Sequence, residues 1–158
     1  MFSPIASYTL RGIFAVALLC VIPAQAQSVV VKDAWIRGTV PGQSATGAFM
    51  ELTAKSAARL IGAASAAAKN VEVHNMTMEN GVMKMFPVDG VDIPAGKTIK
   101  FAPGGYHVMM RNLQKPLNPG DKVLLQLTFE LANKKRETVA LSVEVRDVTG
   151  QPAPHHRH

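Results

Sequence analysis

Cysteine is almost missing from this chain of 158 residues, which contains Cys20 and no other. Residues 12–22 form the apolar run around Cys20; they follow Arg11 and precede the small-residue pattern AQA at positions 24–26. This order of positive charge, apolar run and cleavage pattern is typical of a secretory signal peptide. We expect cleavage after Ala26, and the mature chain then has no disulfide, no thiol nucleophile and no Cys-based metal site.

Long hydrophobic stretches are also lacking. The run at residues 12–22 is too short to cross a bilayer, and Leu19 directly before Cys20 fits a lipoprotein cleavage site poorly. We therefore expect a periplasmic protein without a membrane anchor. We also expect it to be a monomer. The predicted organisation is a signal peptide at residues 1–26, one domain at residues 27–148 and a mobile tail at residues 149–158. A domain of this length can bury a core without disulfides or metals.

Concentrated positive charge and catalytic signatures are missing as well. The formal net charge is +6, but the one basic cluster, KKR at residues 134–136, has no aromatic residues interleaved with it, which argues against nucleic acid as a partner. The sequence contains no G-x-S-x-G elbow, no P-loop and no dinucleotide fingerprint. We expect a binding protein and not an enzyme.

Short alternating runs separated by turn residues make up most of the remaining chain, a pattern that predicts an antiparallel all-β sandwich. Residues 57–69 are ambiguous because their alanines favour helix; we predict a strand followed by a loop there. Trp35, the one tryptophan, is expected to be a core or inter-sheet anchor and not a ligand-stacking residue. The other predicted strands are residues 29–37, 47–53, 97–101, 106–111, 122–130 and 136–146.

A hairpin is predicted at Asn80-Gly81, the strongest short-range signal for a two-residue turn between strands. Such a turn sets the register. The expected pairs are Glu79 with Val82, Met78 with Met83, Thr77 with Lys84, Met76 with Met85, and Asn75 with Phe86. Because side chains alternate between faces, one face of the hairpin carries His74, Met76, Met78, Met83 and Met85.

Methionine and histidine are concentrated around this hairpin. Six of the seven methionines after residue 26 lie in residues 71–110, where His107 and Met109 also share a face after the Gly-rich residues 103–105. We expect no carboxylate on the Met face. Imidazole and thioether ligands without a thiolate suit Cu(I), whereas zinc more often recruits Cys or acidic groups. A blue-copper electron-transfer site is excluded because it requires a Cys thiolate.

The spacing of these residues resembles a known ligand motif. The order is His74, then Met85 after ten intervening residues, His107 after twenty-one more, and Met109 after one more. This spacing is similar to the motif of the periplasmic Cu(A) chaperone (PCu(A)C) family, and the resemblance covers residues 29–145. It implies a cupredoxin-like Greek-key β-sandwich with a protruding Met-rich hairpin. It also implies that these four residues bind Cu(I). Met76 stands where the family often has Met, and the hairpin register alone does not choose between Met76 and Met85.

The resemblance further implies delivery of Cu(I) to the Cu(A) subunit of cytochrome c oxidase or to a Sco-type assembly protein. The alternative is a periplasmic protein that buffers copper for resistance, with similar ligands. The tail adds a second question: His155, His156 and His158 either bind Cu(II), as His-rich tracts do, or are an incidental polar end.

Overall fold

The computed structural model describes residues 27–147. The predicted signal peptide and the His-containing tail lie outside these residues. Ten β-strands are the regular elements of the described part, and no helix in that part is long and apolar enough to cross a membrane. The strands are β1 (Val29–Arg37), β2 (Ala45–Ala54), β3 (Ala58–Ala64), β4 (Ala68–Glu79), β5 (Val82–Pro87), β6 (Val91–Ile93), β7 (Thr98–Phe101), β8 (His107–Leu113), β9 (Lys122–Leu131) and β10 (Arg136–Arg146).

The all-β prediction is confirmed, and the predicted bounds of β1 and β10 match. In the ambiguous stretch, β3 is a strand despite its alanines because Ala58 and Leu60 are buried in the core, and burial in a sheet outweighs helix propensity. The sequence did not predict β6. Its three residues lie between turn signals, and only burial of Val91 and Ile93 against the core reveals the strand.

The strands form one continuous hydrogen-bonded sheet that wraps around a single core, in the order β5-β4-β8-β2-β1-β10-β9-β3-β6. β7 is not part of this order. It pairs with residues 50–53 of β2, whereas β8 pairs with residues 45–48 of the same strand. One pair departs from the antiparallel prediction, since β1 and β10 run parallel. A parallel pair needs a long crossover connection, and here the whole intervening chain supplies it.

The core is built from alternating positions on the inward side of the sheet. Val123, Leu125, Leu127 and Phe129 on β9 are buried, whereas Leu124 between them is exposed. This period of two is what a strand with one covered face requires. The core contains buried apolar residues from nine of the ten described strands, so we expect folding to be independent of any metal.

Trp35 is half-buried and lies outside the buried core, which corrects the prediction of a core anchor. The cause is a bulge in β1 between Lys32 and Trp35, where Asp33 has a φ of 48°. One extra residue in a strand moves every later side chain to the other face. Ile36 therefore points into the core, and Trp35 points away from it onto the ring of Phe49.

The Met-rich hairpin has the predicted register, pair for pair. Asn80 and Gly81 have φ values of 52° and 77°, as a type I′ turn requires at both central positions. β4 pairs with β8 only as far as His74, and from there to Glu79 it pairs with β5. The hairpin therefore extends beyond β8, and β5 is the edge strand of the sheet.

Candidate metal site

The candidate site lies on the face of the sheet opposite the core. Ala48, Val73 and Val108 point into the core from β2, β4 and β8. Their chain neighbours Phe49, His74 and His107 consequently project from the other face. Three adjacent strands thus carry the site residues on one side, where a cleft of about 370 Å³ opens.

Two histidines meet at the junction of β4 and β8. His74 is the direct cross-strand partner of His107, and the centroids of their rings are 5.8 Å apart. Both are buried, with 7% and 4% of their surface exposed. Two imidazoles side by side, with little water around them, form a donor pair for a metal ion.

The predicted thioethers lie around this pair. Met109 follows His107 on the same face of β8, and Met85 faces Met76 across the hairpin. The cleft is lined by Met76, Met85, Met109 and His107, and also by the Gly-rich segment before β8 through Pro103 and Gly104. His74 lies next to His107 but outside the cleft lining. The structure thus brings three of the four predicted ligands to one cleft and the fourth beside it. It does not separate Met76 from Met85.

The hydrogen bond of His107 leaves one ring nitrogen available. Its Nδ1 lies 3.0 Å from the carbonyl oxygen of Gly105. A carbonyl only accepts, so Nδ1–H is the donor and the lone pair of the ring is on Nε2. A metal-binding histidine usually donates a hydrogen bond in this way from the ring nitrogen that does not bind the metal, and this bond sets the tautomer.

His74 has a matching arrangement through Glu72. Its Nε2 is 2.9 Å from Oε2 of Glu72, and Nη2 of Arg111 is 2.7 Å from the same oxygen. The hydrogen bond from His74, followed by the positive charge of Arg111, lowers the pKa of Glu72. With the carboxylate accepting from Nε2, the lone pair of His74 is on Nδ1. This atom is buried and has no hydrogen-bond partner among the described residues, and a buried unpaired polar atom calls for an explanation such as an ion.

Glu72 corrects the sequence prediction that the Met face carries no carboxylate. It precedes His74 by two residues on β4, so strand alternation places both side chains on one face. That signal was present in the sequence. What the sequence did not show is that Arg111 binds Glu72 from β8, which holds the carboxylate against the imidazole.

An aromatic group forms the floor beside His107. The ring of Phe49 lies 6.2 Å from that of His107 and 4.5 Å from that of Trp35, centroid to centroid. A side chain at Gly47 would place its Cβ 3.0 Å from the Phe49 ring. The glycine therefore gives the ring room to lie across β2, where it covers one side of His107.

The donors collected here are imidazole nitrogens and thioether sulfurs. Within residues 27–147, no three His, Cys, Asp or Glu side chains are grouped so as to hold a metal ion. Zinc and hard cations use such groups. The soft donor set of this cleft matches Cu(I).

Residues 29–145 match the model of the family described as "Putative lipoprotein LpqE-like". The chain belongs to the LpqE-like family. A relative from Leifsonia xyli subsp. xyli, "Putative lipoprotein Lxx21020", is 34% identical over 127 residues, which are 80% of this chain and 74% of the relative. The sequence resemblance to the PCu(A)C family is confirmed, because solved structures of PCuAC domains share the fold of this LpqE-like chain.

Two of these structures contain copper. The copper-bound PCuAC domain from PmoF2 superimposes with a TM-score of 0.62 at 24% identity, over 77% of this chain and 94% of that one. The solution structure of CuI-DR1885 from Deinococcus radiodurans gives a TM-score of 0.54 at 29% identity, over 80% of this chain and 83% of that one. The LpqE-like chain therefore has the all-β fold of the PCuAC domains.

Proposed function

We propose that this protein binds one Cu(I) through His74, Met85, His107 and Met109 and carries it to another protein. The observation that carries the proposal is the buried, unpartnered Nδ1 of His74 beside the His107 ring. Thioethers in the cleft beside His74 supply soft neutral ligands. The copper-bound state of DR1885, at 29% identity, supports the same role.

Glu72 is expected to orient His74 for this purpose. Removing an outer-shell partner of a metal-binding histidine typically costs roughly 10–100-fold in affinity, and we expect a loss in that range for Glu72→Ala. Glu72→Gln keeps an oxygen that accepts from Nε2–H, so it should restore part of the affinity. The measurement is a Cu(I) competition titration against a chromophoric chelator.

The matched control is Glu130→Ala. Glu130 also accepts from a cation, since Lys134 lies 2.9 Å from it, but the pair is at the end of β9, three strands from β2 in the sheet, and neither residue lines the cleft. Its loss should leave Cu(I) affinity unchanged. Equal affinities for Glu72→Ala and the wild type would show that the carboxylate does not position His74.

Transfer to an acceptor follows from the chemistry of the ligands. Thioethers are neutral and bind individually, so an incoming thiolate can replace them one at a time without separating charge. Thiolates are anionic and softer, which favours movement of Cu(I) toward them. The site opens at a surface cleft near the edge strand β5, where an acceptor can reach it. Only bonds between the metal and its ligands are made or broken, so the process is ligand exchange and not catalysis.

The proposed acceptors are the Cu(A) subunit of cytochrome c oxidase and a Sco-type assembly protein, both of which present thiolates. The test is to mix the Cu(I)-loaded protein with each apo acceptor under anaerobic conditions and to separate the two proteins. Copper should move to the acceptor, and an acceptor with its cysteines changed to serine should receive none. Copper that stays in place with every thiolate acceptor, together with normal oxidase activity in a deletion strain under copper limitation, would favour copper buffering instead.

We also propose export to the periplasm with cleavage after Ala26. The lipoprotein descriptions of the family and of the Leifsonia relative are consistent with export, but they raise the question of a lipid on Cys20. The mass of the protein, purified separately from the membrane and periplasmic fractions of its native cells, distinguishes cleavage after Ala26 from a lipid on Cys20. A chain that begins at Gln27 supports cleavage, whereas a diacylated chain that begins at Cys20 would refute it.

A further inference from the structure

The outer half of the Met-rich hairpin holds a second pair of methionines that the four-ligand site does not use. Met78 lies directly opposite Met83, two residues beyond the Met76–Met85 pair on the same face. The charged pair of Glu79 and Lys84 is on the other face. Thioether pairs therefore repeat along one side of the hairpin.

Backbone hydrogen bonding brings these thioethers close together. The amide of Val88 donates to the carbonyl of Val73 at 2.9 Å, which makes these residues a hydrogen-bonded pair. Hydrogen-bonded and non-hydrogen-bonded pairs alternate along an antiparallel ladder. Counting from the Val73–Val88 pair toward the turn, Met76–Met85 and Met78–Met83 both fall on non-hydrogen-bonded positions. Cross-strand side chains approach most closely at such positions.

Exposure of the side chains increases from the histidines toward the turn. His107 is 4% exposed, whereas Met85, Met83 and Met78 are 46%, 47% and 64% exposed. Methionine is not a preferred strand residue in the way Val, Ile or Thr is. Two facing exposed methionines contribute little to the core, so packing does not account for them.

The distance between successive thioether pairs suits stepwise movement of an ion. Residues i and i+2 on a strand are about 7 Å apart. The long, flexible side chains of methionine can close that gap from both ends. A Cu(I) ion held by Met78 and Met83 can thus exchange one sulfur at a time for those of Met76 and Met85.

We infer that Met78 and Met83 form a second, weaker Cu(I) site, from which copper enters and leaves the four-ligand site. The inference rests on the proposed function. Copper remains Cu(I) throughout, no electron or proton moves, and each Cu–S bond that breaks is replaced by a new one. The site selects soft monovalent ions because its protein donors are two neutral thioethers.

Methyl NMR of the purified full chain, with ¹³C-labelled methionine methyl groups, tests the inference. Cu(I) is supplied anaerobically as its acetonitrile complex. The first equivalent should shift the signals of Met85 and Met109, and a second equivalent should shift those of Met78 and Met83. The buried Met50 and Met110 report on the core and should stay unchanged.

Leucine variants separate the two sites. In Met78→Leu/Met83→Leu the second equivalent should be lost, and copper loss to a competing chelator should slow, while the affinity for the first equivalent is retained. The matched control, Met50→Leu/Met110→Leu, removes two sulfurs from the core and should bind both equivalents.

The possible failures are distinct. If the first equivalent binds as expected but the signals of Met78 and Met83 never move, or the hairpin variant exchanges copper at the wild-type rate, this inference is wrong and the proposed function stands. If Met85 and Met109 do not respond to the first equivalent, the proposed function itself is wrong.

Discussion

Replacement of Met109 by leucine is expected to weaken Cu(I) binding by about 100-fold or more, because loss of a direct ligand should exceed the 10–100-fold cost of losing an outer-shell partner. Leucine preserves the apolar volume, so the change removes the sulfur donor and little else. Met109 lines the cleft beside His107. The measurement is a competition titration with a Cu(I) chelator.

The neighbouring methionine provides the control. Met110 is fully buried on the core side of β8, so Met110→Leu is the same chemical change on the opposite face, and it should leave affinity unchanged. Met85→Leu and His107→Ala should behave like Met109→Leu, and Met76→Leu should matter less. Wild-type affinity in Met85→Leu, Met109→Leu and His107→Ala together would rule out the proposed ligand set.

Replacement of Leu125 by alanine is expected to destabilise the fold by about 2–5 kcal/mol, the usual cost of such a cavity in a core. Leu125 is fully buried on β9. A loss of this size is a large part of the 5–15 kcal/mol by which domains are typically stable. Urea unfolding followed by circular dichroism measures it.

The adjacent leucine again supplies a matched variant. Leu124 is 55% exposed, so Leu124→Ala should change the free energy of unfolding by about 0.5 kcal/mol or less. Below its unfolding midpoint, Leu125→Ala should still bind Cu(I), because the cleft is on the opposite face of the sheet. Equal destabilisation by the two variants would contradict the assignment of the inward face of β9.

The hairpin and the late strands could be predicted from sequence because their signals are local. Asn80-Gly81 selects one turn type, and the turn sets every pair down to Asn75 and Phe86. Alternation along β9 and β10 likewise shows which residues face the core. Within a stretch of about ten residues, backbone geometry and burial of one face leave one register.

The sequence by itself thus determined the strands that alternate clearly, the Met face of the hairpin and the soft character of its donors. Only the tertiary structure placed His74 opposite His107, bound Arg111 to Glu72, and turned Trp35 out of the core at the bulge in β1. These contacts join strands far apart in the chain or depend on one extra residue in a ladder. Their geometry is settled when the whole sheet closes over its core, and no local pattern of residues specifies it.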